Sequence, residues 1–203
     1  MFVAAVSSVR VFLLLLLLIV QPLPAMAMGA QQVIEKVISD VTSMLDKGTA
    51  AGTNTVENAY SLVEVQVLPY FDFDRMSYLI LGNFWKDATE DQKTRFQSGF
   101  KRLLINTYAS ALSEYTANEE IVYLPIITSS NPDIVIVPTE IHQQGRQPIP
   151  VAYRMLKQGE TWRIYDVAIG GISLVMNYRA SFASQIRRDG IEGLLADLLS
   201  HNK

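Results

Sequence analysis

The sequence predicts an α+β fold, an antiparallel meander sheet of four strands, or five, packed under several helices. Three observations predict it. Prolines are absent between Pro69 and Pro125 and again after Pro150, so two long stretches are free to be helical. The region between them is rich in β-branched and aromatic residues and is cut by short turn signals. Gly170-Gly171 then stands between the last strand-like run and an apolar helix-like run from Ile172 to Tyr178. A sheet and a helix joined this tightly must share one apolar space.

The N-terminus reads as an export signal. Arg10 is the only charged side chain in the first thirty residues, Val11 to Val20 is an uninterrupted apolar run, and Ala25 and Ala27 supply the small residues of a cleavage site. This order of basic, apolar and small-residue regions marks a secretory leader. Cleavage after Ala27 is expected, which leaves residues 28–203 as one domain. The apolar run is short for a bilayer span.

Helical spacing of Val33, Ile34, Val37, Ile38, Val41, Met44 and Leu45 predicts the first helix of that domain, ended near Gly48. Asn54 and Glu57 resemble a capping box for a second helix, whose apolar face is Val56, Ala59, Tyr60, Val63 and Val67 and which Pro69 closes. A short helix from about Phe73 should end at Leu81-Gly82, where glycine suits a left-handed cap. Asp72 and Asp74 fit the start of that helix better than a metal site. Thr89 and Gln92 form a further capping box, and Phe96, Phe100, Leu103, Leu104, Thr107, Tyr108, Ala111, Leu112 and Tyr115 continue as one broad stripe.

Strands are expected over residues 121–128, 134–142, 149–157 and 161–168. Asn131-Pro132-Asp133, Gln144-Gly145-Arg146 and Gln158-Gly159-Glu160 are the turns between them. Connections this short join antiparallel neighbours only. Two helical segments follow, residues 171–188 and 190–200.

Composition narrows the function classes. The absence of cysteine excludes disulfides, thiolate metal sites and lipid attachment at a leader cysteine. Loss of Arg10 with the leader takes the formal charge from −3 to −4, which argues against nucleic acid. There are two histidines, His142 and His201, and no G-x-S-x-G elbow, no H-x-x-x-H pair and no Walker A sequence. No catalytic residue, metal or cofactor is therefore expected. Asp166, on a partly buried strand, is the single candidate general base for an isomerase or hydratase acting in an apolar cavity. Without a second polar group of catalytic type, it is better read as support for the Gly170-Gly171 turn.

What remains is apolar capacity. Val135, Val137, Thr139 and Ile141 alternate to one face of the second strand, and Ile149, Val151, Tyr153 and Met155 to one face of the third. Glu140, His142 and Arg154 take the opposite face. Leu174, Tyr178, Phe182 and Ile186 recur at i+4 along the following helix. On periodicity alone these stripes fill one another, because spacing does not distinguish a solid interior from a hollow one.

Four segments carry a family resemblance: P-Y-F-D-F-D-R-M-S (69–77), L-G-N-F-W-K-D-A-T (81–89), R-F-Q-S-G-F-K-R-L-L (95–104) and W-R-I-Y-D-V-A-I-G-G-I-S-L-V (162–175). In this order behind a leader they resemble the MlaC family, the periplasmic lipid carriers of the Mla pathway, also described as the toluene-tolerance ABC transporter auxiliary component. The resemblance implies a cone-like fold with an apolar pocket between sheet and helices that takes phospholipid acyl chains. It implies a periplasmic monomer shuttling lipid between an outer-membrane lipoprotein–porin complex and an inner-membrane ABC transporter with its substrate-binding component, and so maintaining outer-membrane lipid asymmetry. The expected lining is Val135, Val137, Val151, Tyr153 and Met155 from the sheet, faced by Tyr108, Leu112, Leu174, Tyr178 and Phe182 from helices. An adaptor domain with a filled core is the third alternative.

Overall fold

The computed structural model describes residues 28–52, 56–113 and 119–200, excluding the side chains of 49, 56, 57, 59 and 109–113. The expected leader, the Asn54–Glu57 capping box, Tyr115 and His201 lie outside that description, as do the side chains of Ala111 and Leu112.

Helix α1 (Ala30–Ala51) follows the apolar spacing read from the sequence, and Gly52, at φ 66°, takes the left-handed conformation at its end. Helix α2 (Val56–Leu62) does not run on to Pro69. It widens into a π-helical turn over Val63–Val67, where the Leu68 N–H reaches the Val63 carbonyl, and then tightens to a 3-10 turn over Leu68–Tyr70. Pro69 has no N–H to offer an i−4 carbonyl, so the regular helix stops before it.

Helix α3 (Phe73–Leu81) starts at Asp72, whose carboxylate accepts from the Arg75 N–H at 2.9 Å. Gly82, at φ 56°, ends it by donating to the Tyr78 carbonyl. A single turn, α4 (Phe84–Asp87), leads to α5 (Glu90–Ser113). The Thr89–Gln92 capping box is reciprocal: the Gln92 N–H donates to Thr89 Oγ1 at 3.2 Å and the Thr89 N–H donates to Gln92 Oε1 at 2.9 Å.

The sheet has six strands: β1 (Glu120–Tyr123), β2 (Ile127–Thr128), β3 (Ile134–His142), β4 (Ile149–Gln158), β5 (Thr161–Ile169) and β6 (Ile172–Ser173). All pairs are antiparallel, in the order β1-β3-β4-β5-β6, with β2 also on β3. Two expectations are corrected. The stretch 121–128 is two strands: the Leu124 N–H still donates to the Pro138 carbonyl at 3.0 Å, but Pro125 has no N–H to give the ladder, which resumes at Ile127. Ile172 and Ser173 belong to the sheet and not to the helix, since they pair with Ile169 and Ala168 across the glycine turn. Helix α6 (Leu174–Ser200) starts only after that pairing and is interrupted at Gly190 (φ 72°, ψ 172°), so it is two helical pieces as the sequence indicates.

The buried residues fall into two main layers. Between α1 and one face of the sheet lie Ala30, Val33, Ile34, Val135, Val137, Val151, Met155, Ile164 and Val167. Among α3, α5 and α6 lie Phe73, Met76, Ile80, Phe96, Phe100, Leu104, Val175, Phe182 and Leu194, with others. Phe96, Phe100, Tyr178 and Phe182 form an aromatic cluster there with centroid separations of 5.2–6.3 Å. Phe71 packs against both layers. Its backbone bridges to Ile164, and the Asp72 N–H donates to the Ile164 carbonyl at 2.8 Å, so the 69–77 segment covers part of the β5 edge.

A bulge interrupts the β4–β5 ladder. Met155 faces Ile164 and Arg154 faces Asp166, which leaves Tyr165 as an extra residue on β5. Tyr165 packs with the helical layer, and the Arg75 guanidinium lies 5.0 Å above its ring.

Candidate functional site

Strand register assembles the inner face of the sheet. Val135 pairs with Met155, Val137 with Tyr153 and Thr139 with Val151. On β5, Val167 faces Tyr153 and Ile164 faces Met155. Alternation therefore puts Val135, Val137, Val151, Tyr153, Met155, Ile164 and Val167 on one side, towards α1. Val137 and Met155 have no exposure, and Ile164 has 1%. Each buried aliphatic side chain of this kind contributes roughly 1.5–3 kcal/mol. On the opposite face Glu140 pairs with His142 at 2.8 Å, and Arg154 approaches Asp166.

Of the ten residues expected to line a pocket, the structure brings six together. Val135, Val137, Val151, Tyr153, Met155 and Leu174 belong to the sheet–α1 layer. Tyr108, Tyr178 and Phe182 do not join them and pack in the helical layer. The side chain of Leu112 is outside the described residues. The other half of the sheet-side wall is α1, whose Val33 and Ile34 were visible in a helical stripe but not assigned to the site, and whose Ala30 stands with them. Ile164 and Val167 were likewise missed. Their alternation on β5 is the signal, although the bulge at Tyr165 breaks it.

Polar groups on the inner face are few. Thr139 is 1% exposed, and its hydroxyl donates to the Val151 carbonyl at 3.3 Å. The Tyr153 hydroxyl faces the Thr139 side chain, and burial pushes its pKa up. Burial also raises the pKa of Tyr123, with the nearby Glu35 carboxylate adding to the effect.

Asp166 is 2% exposed. One carboxylate oxygen accepts from Ser173 Oγ at 2.7 Å and the other from the Val175 N–H at 3.0 Å. Ser173 Oγ in turn accepts from the Met176 N–H at 3.1 Å, so both side chains cap the start of α6. Asp166 was expected to support the Gly170-Gly171 turn; its hydrogen bonds instead lie at the start of α6, on Ser173 and Val175, and not at the glycines. Each carboxylate oxygen thus accepts one hydrogen bond at the helix start.

A cleft of about 340 Å³ lies elsewhere, lined by Leu68, Phe71, Asp72, Asp74, Lys101, Arg163 and neighbours. Its acids are already engaged: Asp72 accepts from Gln158 Nε2 at 2.5 Å and Asp74 from Gln97 Nε2 at 2.6 Å. Charged walls make it a poor host for hydrocarbon. Among the described residues no cluster of three or more His, Asp or Glu could hold a metal ion, and no helix is long and apolar enough to cross a membrane.

An antiparallel sheet with one apolar face held against a helix, and with its buried carboxylate capping the next helix, makes this an α+β architecture. The chain belongs to the MlaC family: the family model, described as MlaC protein, matches residues 35–200. It is 23% identical over 170 residues to the Haemophilus influenzae protein named intermembrane phospholipid transport system binding protein MlaC, across 83% of this chain and 78% of that one. It is 26% identical over 179 residues to toluene tolerance protein ttg2D of Pseudomonas putida, across 86% and 82% of the two chains. Among solved structures, a phospholipid-binding protein from Ralstonia solanacearum in complex with a phospholipid matches with a TM-score of 0.78. That match has 31% identity and covers 86% of this chain and 97% of the other.

Proposed function

We propose that this protein is a periplasmic phospholipid carrier that holds acyl chains between the sheet and its helices. The observation that carries the reading is the apolar layer between α1 and the inner sheet face, in a chain that shares its fold with a lipid-bound relative. Val135, Val137, Val151, Tyr153, Met155 and Leu174 form the near wall. Tyr108, Leu112, Tyr178 and Phe182 complete the site from the helical side when the two layers part to admit a ligand.

The physical need is plain. A two-chain phospholipid has about 30 methylenes, and at about 0.8 kcal/mol each their exposure to water costs on the order of 24 kcal/mol. A carrier that offers surroundings as apolar as a bilayer makes transfer nearly neutral, and its partners then set the direction. The partners proposed are an outer-membrane lipoprotein–porin complex and an inner-membrane ABC transporter with its substrate-binding component. The carrier acts as a monomer, after removal of residues 1–27, and its traffic maintains outer-membrane asymmetry. Native mass spectrometry of the exported protein tests the reading. Bound phospholipid at near one molecule per chain is expected, and a chain that arrives empty and extracts nothing from vesicles would sink it.

A further inference from the structure

We propose that Tyr123, Thr139 and Tyr153 form a polar step on the inner face of the sheet that hydrogen-bonds the ester carbonyls of an acyl-glycerol lipid, so that ester-linked ligands are favoured over ether-linked ones. The inference rests on the carrier reading above and deepens it. Register places the three side chains together. Tyr123 is directly opposite Thr139 on β1 and β3, and Thr139 is directly opposite Val151 on β4. Tyr153 lies two residues along from Val151 on the same face, diagonal to Thr139 and within reach of a long aromatic side chain. Tyr123 and Tyr153 both pack into the sheet–α1 layer, whose buried members are all aliphatic or Met.

A hydroxyl among hydrocarbon side chains is costly unless a partner meets it. Thr139 meets that need at the Val151 carbonyl and Tyr153 meets it at Thr139, while the partly exposed Tyr123 packs beside the same patch. Thr139 directs its own proton to the Val151 carbonyl, which frees the Tyr153 hydroxyl to turn between Thr139 and a ligand. A tyrosine hydroxyl is neutral at neutral pH, so both phenols are donors.

The chemistry selects the ligand group. Neutral hydroxyls suit a carbonyl oxygen, whereas a phosphate is met by Lys or Arg. The inward positions 135, 137, 139, 141, 149, 151, 153 and 155 carry no charged residue. Glu35 of α1 stands beside Tyr123, held by a bond from Gln31 Nε2 at 2.7 Å, and its negative charge repels a phosphate at this spot. The step therefore meets the glycerol ester zone, with the head group beyond it and the chains along the aliphatic surface.

The test uses the exported protein and vesicles holding equal amounts of diester and diether phosphatidylcholine with chains of the same length. Lipid carried away on the protein is counted by mass spectrometry. Wild type is expected to take the diester roughly fivefold more often, the effect of about one neutral hydrogen bond. Tyr123→Phe and Tyr153→Phe, made singly, should each move the ratio towards one, whatever either does to the total lipid per chain. A wild-type ratio of one overturns the proposal, as does a fivefold ratio that survives both substitutions. If wild type takes up neither lipid, the carrier reading itself has failed.

Discussion

Replacing Asp166 with alanine separates a structural carboxylate from a catalytic one. Asp166 accepts two hydrogen bonds, from Ser173 Oγ at 2.7 Å and the Val175 N–H at 3.0 Å, while almost wholly buried. Bonds to a charged acceptor contribute roughly 1.5–3 kcal/mol each. Ser173 is partly exposed and can turn to water, but Val175 is 4% exposed and its N–H is left without a partner. Arg154, at 3.8 Å and nearly half exposed, adds little. The expected loss is about 3 kcal/mol. For a chain of this size, with a urea dependence of roughly 2 kcal/mol per molar, that lowers the unfolding midpoint by about 1.5 M. Thermal unfolding should fall by roughly 9 °C. Asp166→Asn keeps one carbonyl oxygen for the Val175 N–H and should cost about 1 kcal/mol, with bound lipid unchanged. A loss below about 1 kcal/mol for alanine would refute the capping account, since that is less than the penalty of one unpaired buried N–H. An asparagine variant that folds normally but carries no lipid would show that the carboxylate serves the ligand directly.

Val151→Trp and Leu174→Trp should each reduce bound lipid at least severalfold while circular dichroism stays native; a full lipid load in both would remove these residues from the site. Gly99→Ala should destabilise by about 1 kcal/mol or more, because overpacking typically costs 1–3 kcal/mol and outweighs the gain in helix propensity. A Cβ there would stand 2.9 Å from Leu198 Cβ, and a more stable variant in urea would show that the α5–α6 contact yields freely. Burial raises the hydroxyl pKa of Tyr108, Tyr123 and Tyr153 above the ordinary 10.0. The unfolded chain loses these protons first, so stability is at its full value below pH 10 and falls as pH rises through the window above it. Urea midpoints from pH 8 to 11 should show this decline, less steep in Tyr153→Phe; a flat profile would contradict it.

Local features of the sequence translated well into structure. The Thr89–Gln92 box, the Asp72 cap and the Gly82 stop each depend on a few neighbouring residues, and each formed where expected. Strands β3, β4 and β5 were legible because alternation and turn residues agree. The fate of Tyr108, Tyr178 and Phe182 was not legible. Spacing at i+4 tells which residues share a helix face, but not whether that face meets a sheet or another helix. Strand β6 was hidden for a different reason. Ile172 and Ser173 owe their conformation to pairing with β5 across the glycine turn, which is a tertiary effect. The inner hydroxyls were equally opaque, since only register reveals that Tyr123, Thr139 and Tyr153 share a patch.

The extra residue at Tyr165 has a consequence for how this strand tolerates change. An added residue in a strand ordinarily throws every later side chain to the wrong side. Here the ladder absorbs it: Ile164 and Val167 stay towards α1, and Asp166 stays towards Arg154. Excising Tyr165 would therefore leave the strand in phase and the pairing continuous. What would be lost is the ring beneath Arg75, and with it one of the attachments between sheet and helices. The strand thus carries a detachable fastener, one residue that the sheet can spare and the neighbouring helix cannot.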